Sequence, residues 1–159
     1  MQGASSEQLL TLYFAYGSNM DELNMGVLCP SSRCLGAARL QDHRLAFLRR
    51  SQRTHSGVAD VVAEPGAVVW GLLYELERPE LVALDAKEGL GKAYARESMR
   101  VTLASDGAAH EALIYTVIAK EPSEVRPSHE YRERMLAAAR RRAFPSDYVT
   151  MLEELAREA

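Results

Sequence analysis

The sequence predicts a small mixed α+β fold, with a mostly antiparallel sheet and helices packed against it. Val-rich runs from Gly57 to Ala63 and from Ala67 to Leu76 flank Glu64-Pro65-Gly66, which reads as a hairpin turn. A second pair of runs, Ala93 to Leu103 and Ala112 to Ile118, flanks Ser105-Asp106-Gly107, and Asp-Gly between two such runs is a strong hairpin signal. Helical spacing of apolar residues is confined to short segments between and after these runs. About six strands are expected, several of them antiparallel neighbours. At 159 residues the chain is expected to form one domain, 1–159. A chain of that length buries ~68–70% of the surface it exposes when unfolded. Residues 1–10 read as a flexible N-terminal segment.

The first element is Tyr13-Phe14-Ala15-Tyr16, aromatic and apolar enough for a buried strand. Gly17 then lets the backbone turn sharply or approach a ligand closely. Ser18-Asn19-Met20-Asp21 and Asn19-Met20-Asp21-Glu22 both match the capping-box pattern, so a helix is expected at once. Strand, glycine turn and helix start leave backbone N–H groups pointing at one spot, where an anion such as a carboxylate is favoured. Taken alone, the stretch also reads as an ordinary strand-to-helix turn.

Pro30-Ser31-Ser32 breaks the pattern, and Arg39 to Leu48 reads as an extended strand. Trp70 shares an alternate-residue register with Val68, Leu72 and Tyr74 and is expected to anchor the core. Arg78-Pro79-Glu80 opens a short helix that ends at Glu88-Gly89. Lys120 to Pro127, with two prolines, is a loop. Ser128 caps a helix running to about Ala143, and Pro145-Ser146-Asp147 starts a last one. Arg140-Arg141-Arg142 could bind an anion, but three arginines in the last turn of a helix also complement its dipole.

Composition narrows the function. The formal net charge of −3 gives no overall attraction to nucleic acid or an anionic membrane, and neither partner is expected. No apolar run approaches the ~20 residues needed to cross a bilayer. MQGASSEQLL lacks the basic start and apolar core of a secretory signal, so a cytoplasmic protein is expected. Cys29 and Cys34 read as free thiols. The four histidines are scattered without close Cys or acidic partners, so no metal site is expected.

Glu88 is the candidate for chemistry. At the end of its helix the negative end of the dipole disfavours a carboxylate, and Asp85 lies three residues earlier on the same face. Both effects, and burial against the sheet, would raise its pKa, while Lys87 would oppose them if it points inward. A carboxyl group tuned toward neutrality can take a proton in one step and return it in the next.

YFAYGSNM, then VVWGLLYEL, then LDAKEGLGKAY resemble the γ-glutamylcyclotransferase family, in the same order over nearly the whole chain. The family's site-forming elements correspond to Tyr16-Gly17-Ser18-Asn19 and to Leu84 through Gly89. The resemblance implies a sheet closed into a barrel-like shape with packed helices, and Glu88 as catalytic acid/base. Tyr94 and Tyr131 are similar to aromatic positions lining the family pocket, whereas Lys120 stands near where a further pocket tyrosine is expected. The reaction implied is attack of a γ-glutamyl α-amine on its own γ-carbonyl, releasing 5-oxoproline and an amine, with no metal or cofactor. The substrate is then a small γ-glutamyl molecule, and the assembly state, a homodimer among the options, is left open. Two other readings stand beside it: removal of a γ-glutamyl protecting group from a larger biosynthetic intermediate, and a binding module without turnover.

Overall fold

The computed structural model describes residues 9–157. The expectation of a flexible segment at 1–10 therefore lies, for residues 1–8, outside the described residues, and Leu10 already begins the first strand. In chain order the strands are β1 (Leu10–Ala15), β2 (Arg33–Arg50), β3 (Gly57–Glu77), β4 (Tyr94–Leu103) and β5 (Ala109–Val117). The α-helices are α1 (Glu22–Leu28), α2 (Leu81–Glu88), α3 (His129–Arg141) and α4 (Ser146–Arg157). Short 3₁₀ turns at Ser18–Met20 and Arg78–Glu80 lead into α1 and α2.

The sheet closes as a barrel in the order β1-β3-β2-β4-β5. Every pairing is antiparallel except the one between β1 and β5, where Tyr13 meets Leu113. Closure removes the exposed sheet edges that would invite association with another chain.

Five strands replace the expected six because Glu64-Pro65-Gly66 bends one strand rather than turning it back. Both halves of β3 pair with β2: Gln41 faces Val68 and His43 faces Ala63, so residues 64–67 lie opposite Asp42 alone. Pro65 has no N–H to lose from a ladder, and a bulge is where a strand tolerates it. Asp42 takes φ 60° and Gly66 φ 85°, and the Gly66 N–H donates to the Asp42 carboxylate at 2.9 Å. The two strands bend together, and no hairpin forms. Beyond the bend, the first half of β3 brings Ala59 to the end of β1.

Residues 69 and 71–74 of β3 are buried on both faces, together with Phe14 of β1, Ala38 of β2, Val101 of β4 and Ile114 of β5. Trp70 is partly buried and packs on Phe144, with ring centres 6.0 Å apart, so it anchors the α3–α4 junction to the sheet. The arginines at the end of α3 join helices: Arg141 and Arg142 hold Glu22 of α1, and Arg140 holds Glu153 of α4.

The segment from 118 to 128 straps the mouth of the barrel. Val125 N–H donates to Phe47 O and Gly57 N–H to Arg126 O, both at 2.8 Å. A side chain at Gly57 would put its Cβ 1.8 Å from the Val125 carbonyl oxygen, so only glycine admits this crossing. Lys120 in the strap reaches the fully buried Asp60 at 2.5 Å.

Candidate active site

The end of β1 places the first group. The chain leaves Ala15 and turns at Gly17, where Met20 N–H donates to Gly17 O and Asp21 N–H to Ser18 O, both at 3.1 Å. The N–H groups of Gly17, Ser18 and Asn19 take no part in those turn bonds. The capping-box expectation fails here. Asp21 caps α1, accepting from the N–H groups of Leu23 and Asn24, because the intervening 3₁₀ turn displaces the helix start by one turn. Asn19 is thereby free for another task.

Asn19 is 3% exposed and held on every side. Tyr74 O–H donates to its backbone oxygen at 2.9 Å. Its Nδ2 donates to the Tyr13 hydroxyl at 2.8 Å and to Glu88 Oε1 at 3.0 Å, and its Oδ1 accepts from the Lys87 ammonium. One amide thus joins the turn to the end of α2. Lys87 Nζ also lies 3.4 Å from Ser18 Oγ, so its stem is exposed while its ammonium sits against the turn.

Helix α2 is anchored at its start by Glu80, whose carboxylate accepts from Ser31 N–H at 3.0 Å and Ser31 O–H at 2.5 Å. At its end Gly89 adopts φ 63°, ψ 49°, and Leu90 N–H reaches back to Asp85 O at 3.0 Å, a closure that favours glycine. These two ends fix Glu88. Burial raises its pKa above the ordinary carboxylate value, while Lys87, Arg49 and the Asn19 hydrogen bond pull the other way. Lys87 opposes the shift as expected. Asp85 does not act as expected, because its charge is engaged elsewhere: Arg96 Nη1 lies 2.5 Å from one oxygen and Tyr115 O–H donates to the other at 2.6 Å.

Tyr131 enters from α3. Ser128 caps that helix by accepting the Tyr131 N–H at 3.1 Å, and the Tyr131 hydroxyl accepts from Ala59 N–H at 3.1 Å. Tyr94, at the start of β4, donates to Ala59 O at 2.9 Å, and Tyr16 donates to Tyr115 O at 2.5 Å. Burial raises the pKa of each, Tyr131 to about 12, so all are neutral near pH 7.

All of the residues singled out in the sequence, Tyr16, Gly17, Ser18, Asn19, Glu88, Tyr94 and Tyr131, line one cavity of about 430 Å³. Sequence reasoning missed Tyr13, Tyr115, Arg49 and Arg53, which also line it. Tyr13 and Tyr115 read locally as ordinary sheet residues, and only barrel closure brings β5 beside β1. Lys120 does not line the cavity, being engaged with Asp60. Among the described residues, no group of three or more His, Cys, Asp or Glu is placed to hold a metal ion. No helix among them is long and apolar enough to cross a membrane.

The three O–H groups of Tyr16, Tyr94 and Tyr115 are spent on protein acceptors. Tyr13 and Tyr131 act as acceptors in their recorded bonds, which leaves their own protons to offer a ligand. The cavity therefore combines an N–H-rich turn, a carboxylate with a raised pKa and two neutral phenol donors. That set can hold a carboxylate, move a proton and stabilise a developing oxyanion.

Residues 13–133 match the model of the family described as gamma-glutamyl cyclotransferase, AIG2-like. The chain is 29% identical over 151 residues to gamma-glutamylcyclotransferase of Homo sapiens, covering 91% of this chain and 78% of the relative. It is 30% identical over 149 residues to gamma-glutamylcyclotransferase of Bos taurus, with the same coverage. A solved structure titled gamma-glutamyl cyclotransferase superposes with TM-score 0.84 at 29% identity, covering 91% of this chain and 86% of that one.

Proposed function

This chain belongs to the gamma-glutamyl cyclotransferase, AIG2-like family and is an enzyme of that type, and we propose that it cyclises a small γ-glutamyl substrate to 5-oxoproline with Glu88 as general acid/base. The observation that carries the proposal is the Asn19 bridge, which holds the Glu88 carboxylate 3.0 Å from the side chain of the N–H-rich turn.

The substrate's α-carboxylate rests on the N–H groups of Gly17 to Asn19. Its α-amine then lies beside Glu88 and within reach of its own γ-carbonyl, which makes the encounter intramolecular and pre-oriented. Glu88 removes a proton from the α-ammonium. The freed nitrogen bonds to the γ-carbon, and the carbonyl electrons move onto oxygen. The phenol of Tyr131, with that of Tyr13, donates to the resulting oxyanion. When the carbonyl re-forms, the bond from the γ-carbon to the leaving nitrogen breaks and Glu88 returns its proton to that nitrogen; the regenerated carboxylate then carries the second proton from the ring nitrogen to the released amine, which departs as an ammonium. The products are 5-oxoproline and a free amine, and the enzyme ends in its starting protonation state.

A raised pKa suits Glu88 to both halves of this cycle, since a strongly acidic carboxyl would abstract poorly, and one held fully neutral would have no carboxylate to abstract with. Free thiols at Cys29 and Cys34 support a reducing, cytoplasmic setting.

The test is 5-oxoproline release from a panel of γ-glutamyl dipeptides. Glu88→Gln keeps the shape and the acceptor of the Asn19 hydrogen bond but cannot carry the proton, so turnover should fall roughly 100- to 10,000-fold. Undiminished turnover by this variant would remove Glu88 from the mechanism.

A further inference from the structure

The proposed reaction leaves two cavity residues without a task. Arg49, near the end of β2, and Arg53, on the connection from β2 to β3, both line the reaction cavity. Neither guanidinium makes an ion pair or a hydrogen bond among the described residues, whereas Arg134 nearby is held by Glu130 at 2.6 Å. Arg49 is half-buried, with its guanidinium carbon 5.9 Å from the centre of the Tyr94 ring, so its position is set by stacking rather than by a counter-charge.

The charge of the cavity is lopsided. Its lining holds three cations, Arg49, Arg53 and Lys87, against one carboxylate, Glu88. Arg53 is close enough to Lys87 to disfavour its charge, and Arg49 close enough to Glu88 to favour its ionised form. Lys87 is committed to Asn19 and Ser18. The substrate's α-carboxylate is committed to the turn. Two guanidiniums thus remain facing the space where the leaving group must lie.

That space continues outward. A second cavity of about 470 Å³ adjoins the first and shares Ser18, Arg53, Lys87 and Tyr131 with it. Arg53 stands on the wall common to both, so a leaving group passing from the reacting carbonyl toward solvent meets it. Guanidinium groups recognise carboxylates with paired hydrogen bonds, and gain little from a neutral amide or an alkyl amine.

We propose that Arg49 and Arg53 form an anion subsite for the leaving group, so that the enzyme prefers γ-glutamyl conjugates of dicarboxylic amino acids over neutral amino acids, and both over carboxamides. This rests on the cyclotransferase reading above and adds the chemical class of the amine released.

The experiment measures 5-oxoproline formation from γ-glutamyl-glutamate, γ-glutamyl-alanine and γ-glutamyl-alaninamide, whose leaving groups carry two, one and no carboxylates. In the unaltered enzyme kcat/KM should fall about tenfold for each carboxylate removed, mostly through KM. Arg53→Gln, Arg49→Gln and the double variant should compress that series toward a common value, and Arg53→Lys should restore part of it. Raising the ionic strength should compress it too, since an exposed arginine is readily screened.

Equal turnover of the acid and the carboxamide by the unaltered enzyme would overturn the proposal. So would an equal loss on all three substrates in the arginine variants, which would mean that these residues hold the γ-glutamyl half. If none of the three yields 5-oxoproline, the cyclotransferase reading fails by itself, and the subsite is judged by binding. Calorimetric titration of Glu88→Gln with the same compounds should show affinity graded by charge, and adding Arg53→Gln should abolish the gradation. A flat series there overturns the subsite.

Discussion

Asn19 Nδ2 donates to Glu88 Oε1 across 3.0 Å, although the two residues are 69 positions apart in the chain. The same amide accepts from Lys87 and donates to Tyr13, so it sets the orientation of the carboxylate while leaving its second oxygen to the cavity. Asn19→Leu removes these bonds and strands the Tyr13 hydroxyl and the Lys87 ammonium. Loss of a buried hydrogen-bonding group of this kind costs about 1–3 kcal/mol. Thermal unfolding should report that loss, and kcat should fall at least tenfold even well below the new Tm. A stable Asn19→Leu variant with unchanged kcat would show that Glu88 needs no such support.

Gly17 is demanded by space: at φ −126°, ψ −128°, a Cβ there would lie 2.5 Å from the Tyr131 hydroxyl oxygen. Gly17→Ala should therefore push Tyr131 away from Ala59 and depress activity. In a Tyr131→Phe background the nearest ring atom to that Cβ is Tyr131 Cζ at 3.6 Å, an ordinary contact. The effects should then be non-additive: Gly17→Ala costs much less in Tyr131→Phe than in the unaltered chain. Strict additivity in kcat/KM and Tm would show that the glycine serves something other than clearance for Tyr131.

The site was legible wherever one short segment carries both a structural and a chemical signal. Gly17 follows an aromatic strand, and Glu88 precedes the Gly89 that closes its helix, so both could be singled out from local sequence. What could not be read locally is what joins them. Asn19 resembles a helix cap until the 3₁₀ turn shifts capping to Asp21, and Asp85 resembles a neighbour of Glu88 until Arg96 and Tyr115 arrive from distant strands. Pro65-Gly66 carries the same residues whether a strand reverses or bends. Long-range pairing with β2 decides between them. Barrel closure, which brings Tyr115 beside Tyr13 with ring centres 5.7 Å apart, has no sequence signature shorter than the whole chain.

Lys87 provides a test of how Glu88 is tuned. Its ammonium is the largest influence opposing the rise that burial imposes on the Glu88 pKa. Lys87→Met removes that influence and should move the Glu88 pKa further up. Because the proposed first step requires the carboxylate, the acidic limb of the kcat/KM profile should move to higher pH in this variant. Near neutral pH less of the enzyme would be in the active form. The limb is read from pH-rate profiles of the two proteins on one substrate, and a shift to lower pH would contradict the assignment of that limb to Glu88.

Glu22 gives a stability prediction remote from the cavity. Its carboxylate meets Arg142 at 2.5 and 2.9 Å and Arg141 at 3.1 Å, which ties the start of α1 to the end of α3. The hydrogen bonds from Arg142 are the main cause lowering its pKa below the ordinary 4.5. The native state therefore binds this proton less well than the unfolded chain does. The stabilisation is fully present above the unfolded value and is lost as pH falls through the lower native one. All three side chains are partly exposed, so the tie contributes only about 1 kcal/mol. Glu22→Gln should lower stability to denaturant by about that amount near pH 7 and by progressively less below pH ~4.5, where the unaltered chain loses the same charge. Because α1 follows directly on the Ser18–Met20 turn, a loosened α1 should also raise KM for a γ-glutamyl substrate. A variant that loses stability equally at every pH would show that the tie acts through packing and not through charge.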